Sequence, residues 1–295
     1  MMQKNVDLLA AYWTIAGDVY PCSPTEVSPF PLEARAEAAA KAGWKGLGLI
    51  LDDLKATIAR VGVAGVRNIL ADNDMRHFEL EILVDWYKEG ELRAASDRFR
   101  RDVIELGGLL GMRNLKIGAS FADPGPADFP RMAAEFARLC EEVGQVGATV
   151  SLEFMPFSIV RTIDDGLAIV QAADQPNGGL TVDTWHVARS GDPFGRIATI
   201  PGRFITSVEL DDADEQVVGT LFEDTRFNRR LCGEGAYDTV EFIDAVQQAG
   251  FAGPYYGVEM ISSVHRMLPL EEMARRAYDT TIAQFDKLAA RKAAA

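Results

Sequence analysis

The stretch Thr149-Val-Ser-Leu-Glu-Phe-Met155 is a short, mostly apolar run, and it predicts a buried β-strand. Residues 163–173 follow with apolar side chains at helical spacing, and a second apolar run, Gly179-Leu-Thr-Val-Asp183, predicts another strand. A strand, a helix and a strand within about 35 residues form a βαβ unit, in which the two strands are parallel. This unit places the chain in the α/β class.

The same alternation runs along the whole chain. Strands are predicted at 8–14, 46–50, 77–83, 114–118, 149–155, 179–183, 204–210 and 255–260. Helices are predicted at 31–42, 51–61, 91–111, 126–146, 163–173, 194–200, 239–249 and 271–293. Eight units of about 37 residues predict a (β/α)8 TIM barrel that forms a single domain over residues 1–295. The long irregular stretch 211–236, after strand seven, is predicted to be a functional loop, either a lid or a partner contact.

Composition excludes several classes of partner. The chain has 30 basic and 44 acidic residues, for a net charge of −14, and such an excess of acid repels the phosphates of nucleic acids. We therefore expect no nucleic-acid partner. No apolar stretch reaches the roughly 18 residues of a membrane span, and no signal-peptide pattern is evident, so we expect a cytoplasmic location and no membrane contact. The three dispersed cysteines predict neither a disulfide framework nor a thiolate zinc site. A homo-oligomer remains open.

Four acidic residues occupy matching positions in the last four predicted strands. They are Glu153, Asp183, Glu209 and Glu259, each next to apolar residues. Because side chains alternate between the two faces of a strand, we expect all four to point into the barrel at the carboxyl ends of the strands. Four converging carboxylates need a positive partner, and a divalent ion is the economical one. All-oxygen ligation favours Mn²⁺ or Mg²⁺ over zinc. The alternative is that the four acids pair with arginine or lysine side chains.

Several motifs resemble the xylose isomerase-like sugar phosphate isomerase/epimerase superfamily. They are Ser151-Leu-Glu-Phe154, Thr181-Val-Asp-Thr-Trp-His186, Val208-Glu-Leu-Asp-Asp212, Gly233-Glu-Gly-Ala-Tyr-Asp238 and Gly257-Val-Glu259. The resemblance implies that the four acids hold one divalent metal and that Glu153 and Glu259 also form the acid/base pair. It further implies that His186 binds a substrate oxygen. The third ligand position, usually histidine in this superfamily, is Glu209 here, which makes the predicted site more acidic.

Five further residues are weaker candidates for the substrate pocket. Trp185 is either pocket wall or core, and Glu79 points inward on strand three, with His77 nearby. A ring of carboxylates around one divalent ion carries no surplus positive charge, so an anionic substrate would require an arginine. Arg229 in the stretch 211–236 and Arg266 beyond strand eight are the candidates, and the alternative is that both are solvated surface residues.

The predicted metal site suits chemistry at a carbon next to a carbonyl. A metal that polarises the carbonyl acidifies this carbon, and a nearby carboxylate takes the proton to leave an enediolate. We therefore expect an isomerase or epimerase acting on a small-molecule ketose, keto-sugar or cyclitol. A dehydratase of the 3-dehydroshikimate or inosose type is the alternative, which Glu209 in place of histidine makes credible. An abasic-site endonuclease is disfavoured because its metal cluster is rich in histidine, and a non-catalytic barrel is disfavoured by the complete ring of acids.

Overall fold

A computed structural model of the chain describes residues 6–121 and 125–294, so the predicted domain 1–295 extends beyond the described residues at both ends. The strands are β1 (Leu8–Ala10), β2 (Gly46–Ile50), β3 (His77–Leu83), β4 (Asn114–Gly118), β5 (Thr149–Glu153), β6 (Gly178–Asp183), β7 (Ile205–Leu210), β8 (Asp212–Ala213), β9 (Arg229–Arg230) and β10 (Tyr256–Val258). All except β8 and β9 are parallel neighbours in a closed barrel, in the order β1, β2, β3, β4, β5, β6, β7, β10. The predicted (β/α)8 barrel is therefore confirmed.

The helices surround the barrel. They are α1 (Leu32–Ala42), α2 (Leu51–Asp72), α3 (Gly90–Leu110), α4 (Phe129–Gly144), α5 (Ile163–Ala173), α6 (Thr184–Ser190), α7 (Leu221–Phe227), α8 (Thr239–Ala249) and α9 (Leu270–Ala294). The predicted helix after β6 is a 3-10 helix, Phe194–Thr199, which packs against α8. Among residues 6–121 and 125–294, no helix has the length and apolarity needed to cross a membrane.

Several elements differ in length from the prediction, including α2, α4, β1, β5 and β10. Helix α2 extends eleven residues beyond its predicted end at 61, across a kink at Gly62, whose positive φ of 72° glycine adopts without strain. Val66 and Leu70 are buried beyond the kink and continue the apolar face of the helix. Strand β1 ends at Ala10, because the chain turns into a 3-10 helix at Tyr12–Thr14 instead of continuing to residue 14.

The stretch 211–236 is more ordered than the irregular loop that we expected. Strands β8 and β9 pair in an antiparallel ribbon, and helix α7 lies between them. The buried Asp212 carboxylate accepts backbone N–H groups from Gly233 and Gly235 at 3.0 Å and from Tyr237 at 2.9 Å. One buried acid thus organises the end of the stretch, and this part of it is packed structure.

The packing inside the barrel leaves room for polar side chains at its upper end. Gly48 on β2 is the main example, because a Cβ at this position would lie 2.9 Å from Oε1 of Glu81. Glu81 can therefore extend over β2 toward the end of β1, where its Oε1 accepts the backbone N–H of Tyr12 at 2.8 Å. The absent side chain at position 48 helps to position a carboxylate of the candidate site.

Candidate active site

The four predicted metal ligands meet at the carboxyl ends of the strands. Glu153 ends β5, Asp183 ends β6, Glu209 lies on β7 and Glu259 directly follows β10, and all four side chains are buried. One carboxylate oxygen from each residue lies within 4.8 Å of the others. The structure therefore brings together, at the catalytic face of the barrel, the four acids that the strand pattern selects.

Lys116 on β4 lies among these carboxylates, and the sequence analysis missed it. Its buried ammonium donates to Oε1 of Glu209 at 2.6 Å and to Oε1 of Glu259 at 3.0 Å. It also forms an ion pair with Oε2 of Glu81 at 2.6 Å. A lysine inside a predicted apolar strand is the signal that could have identified it, because a buried lysine needs acidic partners.

Arg229 supplies the second positive charge, and it is buried, not solvated. Its Nη1 donates to Oδ2 of Asp183 at 2.8 Å and contacts Asp211, and its Nη2 lies 3.2 Å from Oε2 of Glu259. Thr225 Oγ1 accepts another hydrogen bond from Nη2 at 2.8 Å. Arg229 reaches the predicted site, where its guanidinium neutralises carboxylates of the chain itself.

Lys116 and Arg229 do not balance the acidic charge of the site. We call Glu153, Asp183, Glu209 and Glu259 the carboxylate ring. Together with the ring, Glu81 and Asp211 bring the number of carboxylates at the site to six, and the two are paired with Lys116 and Arg229 respectively. Within the described part of the chain, Oε1 of Glu153 and Oε2 of Glu209 are buried and have no hydrogen bond. Surplus negative charge and free oxygen donors are what a hard divalent cation requires, so the residues present fit such an ion.

The surroundings change the acidity of the ring carboxyls in opposite directions. Burial raises the pKa of Glu259, but Lys116 and Arg229 outweigh burial and lower this pKa to about 2. Burial and the charge of Glu259 raise the pKa of Glu209 well above its usual range, against the effect of Lys116. The two cations thus favour the ionised form of Glu259, whereas burial and the neighbouring acids favour the protonated form of Glu209.

His186 lines the site, and Trp185 stands behind it. Asp183 caps helix α6 by accepting the backbone N–H of His186 at 2.8 Å. This turn brings Nε2 of His186 to 3.3 Å from Oε1 of Glu153 and 3.4 Å from Nη2 of Arg229. Trp185 is fully buried and donates its indole N–H to Asp224 at 3.1 Å. Of the two interpretations of Trp185, the structure therefore favours the core.

A cavity of about 820 Å³, its open mouth included, lies over the four acids. Its polar lining near the ring consists of Glu81, Glu153, His186, Arg229 and Glu259. Much of the remaining lining is apolar: Trp13, Ile50, Leu51, Ile82, Phe99, Phe121, Met155, Phe157, Phe222 and Ile261.

Glu79 and Arg266 are not among the described residues that line this cavity. Glu79 is on the inward face of β3, two residues before Glu81, and it accepts the Tyr255 hydroxyl at 3.0 Å. His77, at the start of β3, lies 2.9 Å from Asp7. Arg266 pairs with Asp18, Nε to Oδ1, at 2.9 Å. Glu81 thus takes the place in the cavity that we predicted for Glu79.

Comparison with known proteins identifies the family of this chain. Residues 36–283 match a family model described as "Xylose isomerase-like TIM barrel". This chain belongs to the xylose isomerase-like TIM barrel family. The matched residues include all four ring acids, Lys116 and Arg229.

Similar members of the xylose isomerase-like family carry different enzyme names. The chain is 31% identical over 140 residues to a 3-dehydroshikimate dehydratase of Pseudomonas aeruginosa, a match that covers 47% of this chain and 22% of that protein. It is 27% identical over 138 residues to an inosose isomerase of Bacillus subtilis, covering 46% and 48% of the two chains. The match thus spans less than half the length of either relative.

A solved structure with the same fold is the IOLI protein, which has a bound zinc atom. Its TM-score to this chain is 0.82 at 19% sequence identity, and the alignment covers 96% of this chain and 99% of that one. This likeness shows the shared barrel of the xylose isomerase-like family.

Proposed function

We propose that the chain is a divalent-metal-dependent isomerase or epimerase of a ketose, keto-sugar or cyclitol, acting through an enediolate. The observation that carries this proposal is the ring of four carboxylates with donor oxygens within 4.8 Å of one another. The buried, unbonded oxygens of Glu153 and Glu209 support it, because such atoms are costly unless they have a partner. The related inosose isomerase supports the same class of substrate.

Glu153, Asp183, Glu209 and Glu259 would hold the ion, and oxygen ligation favours Mn²⁺ or Mg²⁺. When bound, a divalent ion at this place polarises a substrate carbonyl and so makes the neighbouring C–H more acidic. The zinc atom of the IOLI structure supports a divalent ion in this fold. The four carboxylates favour Mn²⁺ or Mg²⁺, whereas the second possible ligand group, Glu153, Asp183 and His186, would favour zinc.

Glu153 is the better candidate for the base that removes the substrate proton. It lines the cavity, and neither Lys116 nor Arg229 pairs with it among the described contacts. One carboxylate oxygen of Glu153 would hold the ion, and the other would take a proton from the substrate. Glu259 is held ionised by two cations and is the weaker base, so it suits the second carrier, which epimerisation needs on the opposite face. His186, 3.3 Å from Glu153, is placed to bind a substrate oxygen.

A dehydratase is the second candidate. The chain resembles a 3-dehydroshikimate dehydratase over 140 residues, and Glu209 stands where the superfamily usually has histidine. A dehydratase also begins by removing a proton from the carbon next to a carbonyl, but its intermediate then expels the β-hydroxyl group. The same ring of residues therefore serves both reactions, and the fate of the intermediate distinguishes them.

Solvent exchange tests the proposal. Mn²⁺-loaded protein is incubated in D₂O with a panel of ketoses, inososes and 3-dehydroshikimate, and the products are followed by NMR and ultraviolet absorption. We expect deuterium incorporation with a new isomer or epimer and no new chromophore. A conjugated chromophore would establish the dehydratase instead. If the metal-loaded protein incorporates no deuterium into any compound of the panel, both the isomerase or epimerase proposal and the dehydratase alternative are contradicted.

Changing Glu209 to histidine tests its role as a ligand. We expect Glu209→His to fold and bind a metal, with a preference shifted from Mn²⁺ toward Zn²⁺, because imidazole suits softer ions. Competitive titration of the purified variant with the two ions measures the shift. Glu215→His, at an exposed position outside the ring, is the control. An unchanged metal preference together with unchanged turnover would show that Glu209 is not a ligand.

A further inference from the structure

Two side-chain cations occupy oxygens of the carboxylate ring that a divalent ion would use. The Lys116 ammonium donates to Oε1 of Glu259 at 3.0 Å, and Nη2 of Arg229 lies 3.2 Å from Oε2 of the same carboxylate. Lys116 also donates to Oε1 of Glu209 at 2.6 Å. A divalent ion bound to Glu259 would lie close to one of these cations, and like charges at short range repel strongly inside a protein. The ion therefore competes with Lys116 or with Arg229.

Arg229 is held in place by groups outside the carboxylate ring. Its Nη1 contacts Asp211, and its Nη2 and Nε both donate to Oγ1 of Thr225, at 2.8 and 3.2 Å. The guanidinium is a rigid, planar fork, so a rotation that releases Glu259 would break these bonds as well. Arg229 is thus fixed where it is.

Lys116 is free to leave the carboxylate ring. Among the described residues, its one ion-pair partner outside the ring is Glu81, whose Oε2 lies 2.6 Å from the ammonium. Glu81 is itself fixed, because its Oε1 accepts the backbone N–H of Tyr12 at 2.8 Å. A lysine ammonium is a point charge on a flexible stem, so it can keep this ion pair while it turns away from the ring. Of the two cations, Lys116 is the one that can yield to a metal.

We infer that Lys116 is an internal competitor of the divalent ion: it neutralises the carboxylate ring in the metal-free protein and withdraws to Glu81 when the ion binds. This inference rests on the divalent ion of the proposed function. Lys116 and Glu81 are positioning residues that set the metal affinity, and neither is a metal ligand. Their roles are opposite, since the lysine opposes metal binding and the glutamate favours it by holding the lysine away from the ring.

Titration calorimetry of metal-free protein with Mn²⁺ tests the inference. Lys116→Met removes the charge and keeps most of the volume, so Mn²⁺ should bind about 10- to 100-fold more tightly than to the wild type. Glu81→Gln removes the acid that draws the lysine away, so Mn²⁺ should bind about 10-fold more weakly. The control is Lys45→Met, just before the amino end of β2, where the ammonium pairs with Asp74 at 2.8 Å. Its Mn²⁺ affinity should not change.

A double variant shows whether Glu81 acts through Lys116. In the Lys116→Met background, the further change Glu81→Gln should leave Mn²⁺ affinity nearly unchanged, because no lysine remains to be held. A direct electrostatic effect of Glu81 on the ion would instead cause the same loss of affinity in both backgrounds. Equal losses would overturn the role that we assign to Glu81.

The outcomes separate this inference from the proposed function. Mn²⁺ binding by folded Lys116→Met that is equal to or weaker than that of the wild type would overturn the inference, while the metal site of the proposed function would stand. If Lys116→Met folds poorly, Lys116→Gln makes the same comparison, and Glu81→Gln still tests a change of opposite sign. Absence of Mn²⁺ binding in the wild type and in every variant would contradict the proposed function and the inference with it. Binding by Lys116→Met alone would support the inference.

Discussion

Replacing Glu153 with glutamine is expected to lower turnover by about 10²- to 10⁴-fold, the usual contribution of a general acid–base group. The amide keeps an oxygen donor for a metal but cannot accept a proton. Metal occupancy should therefore fall far less than activity. Turnover is measured with the substrate that the exchange panel identifies, and Mn²⁺ occupancy is measured on the same samples.

Two further variants complete this comparison. Glu215→Gln removes an exposed carboxylate outside the cavity and should leave turnover unchanged. Glu259→Gln should also abolish epimerisation, because this reaction needs a proton carrier on each face, whereas a dehydratase tolerates one of the two losses better. Full turnover in both Glu153→Gln and Glu259→Gln would rule out proton transfer by the carboxylates.

Replacing Arg229 with methionine is expected to lower the free energy of unfolding by about 3–5 kcal/mol in metal-free protein. The change leaves Asp183, Asp211 and Glu259 buried without their shared guanidinium. Urea unfolding at pH 7 measures the loss. Saturating Mn²⁺ should restore part of the stability, because an ion bound to the native ring favours the folded state.

The matched control is Arg230→Met, since Arg230 is the next residue along the chain but is exposed and paired with Asp214. Its substitution should change the free energy of unfolding by less than about 0.5 kcal/mol, as is usual at the surface. Equal effects of the two substitutions would show that Arg229 is not the counter-ion of the ring.

The barrel could be predicted from sequence because its strands are short, buried and apolar. Strands β2, β3 and β4 have the predicted bounds, since each is a compact run between charged or glycine-containing segments. The stretch 211–236 could not be predicted in the same way. Its order depends on contacts distant in sequence, such as the Asp212 carboxylate with the backbone of Gly233 and Gly235, and helix α7 is too short to show a clear apolar period.

The carboxylate ring was predictable for a different reason. Alternation along a strand fixes which face each acid occupies, and the barrel brings strand ends together. Alternation does not fix the depth of a side chain along the barrel axis, so it could not separate Glu79 from Glu81, two residues apart on the same face. Nor could it show that Lys116 pairs across the barrel with Glu209, 93 residues away.

Anomalous diffraction from crystals soaked in Mn²⁺ tests the central claim most directly. The account predicts a single manganese peak among the carboxylates of Glu153, Asp183, Glu209 and Glu259, with the Lys116 ammonium displaced from at least one of its acidic partners. The contradicting result is the absence of a peak at saturating Mn²⁺, with Glu209 still paired with Lys116 and Asp183 still paired with Arg229.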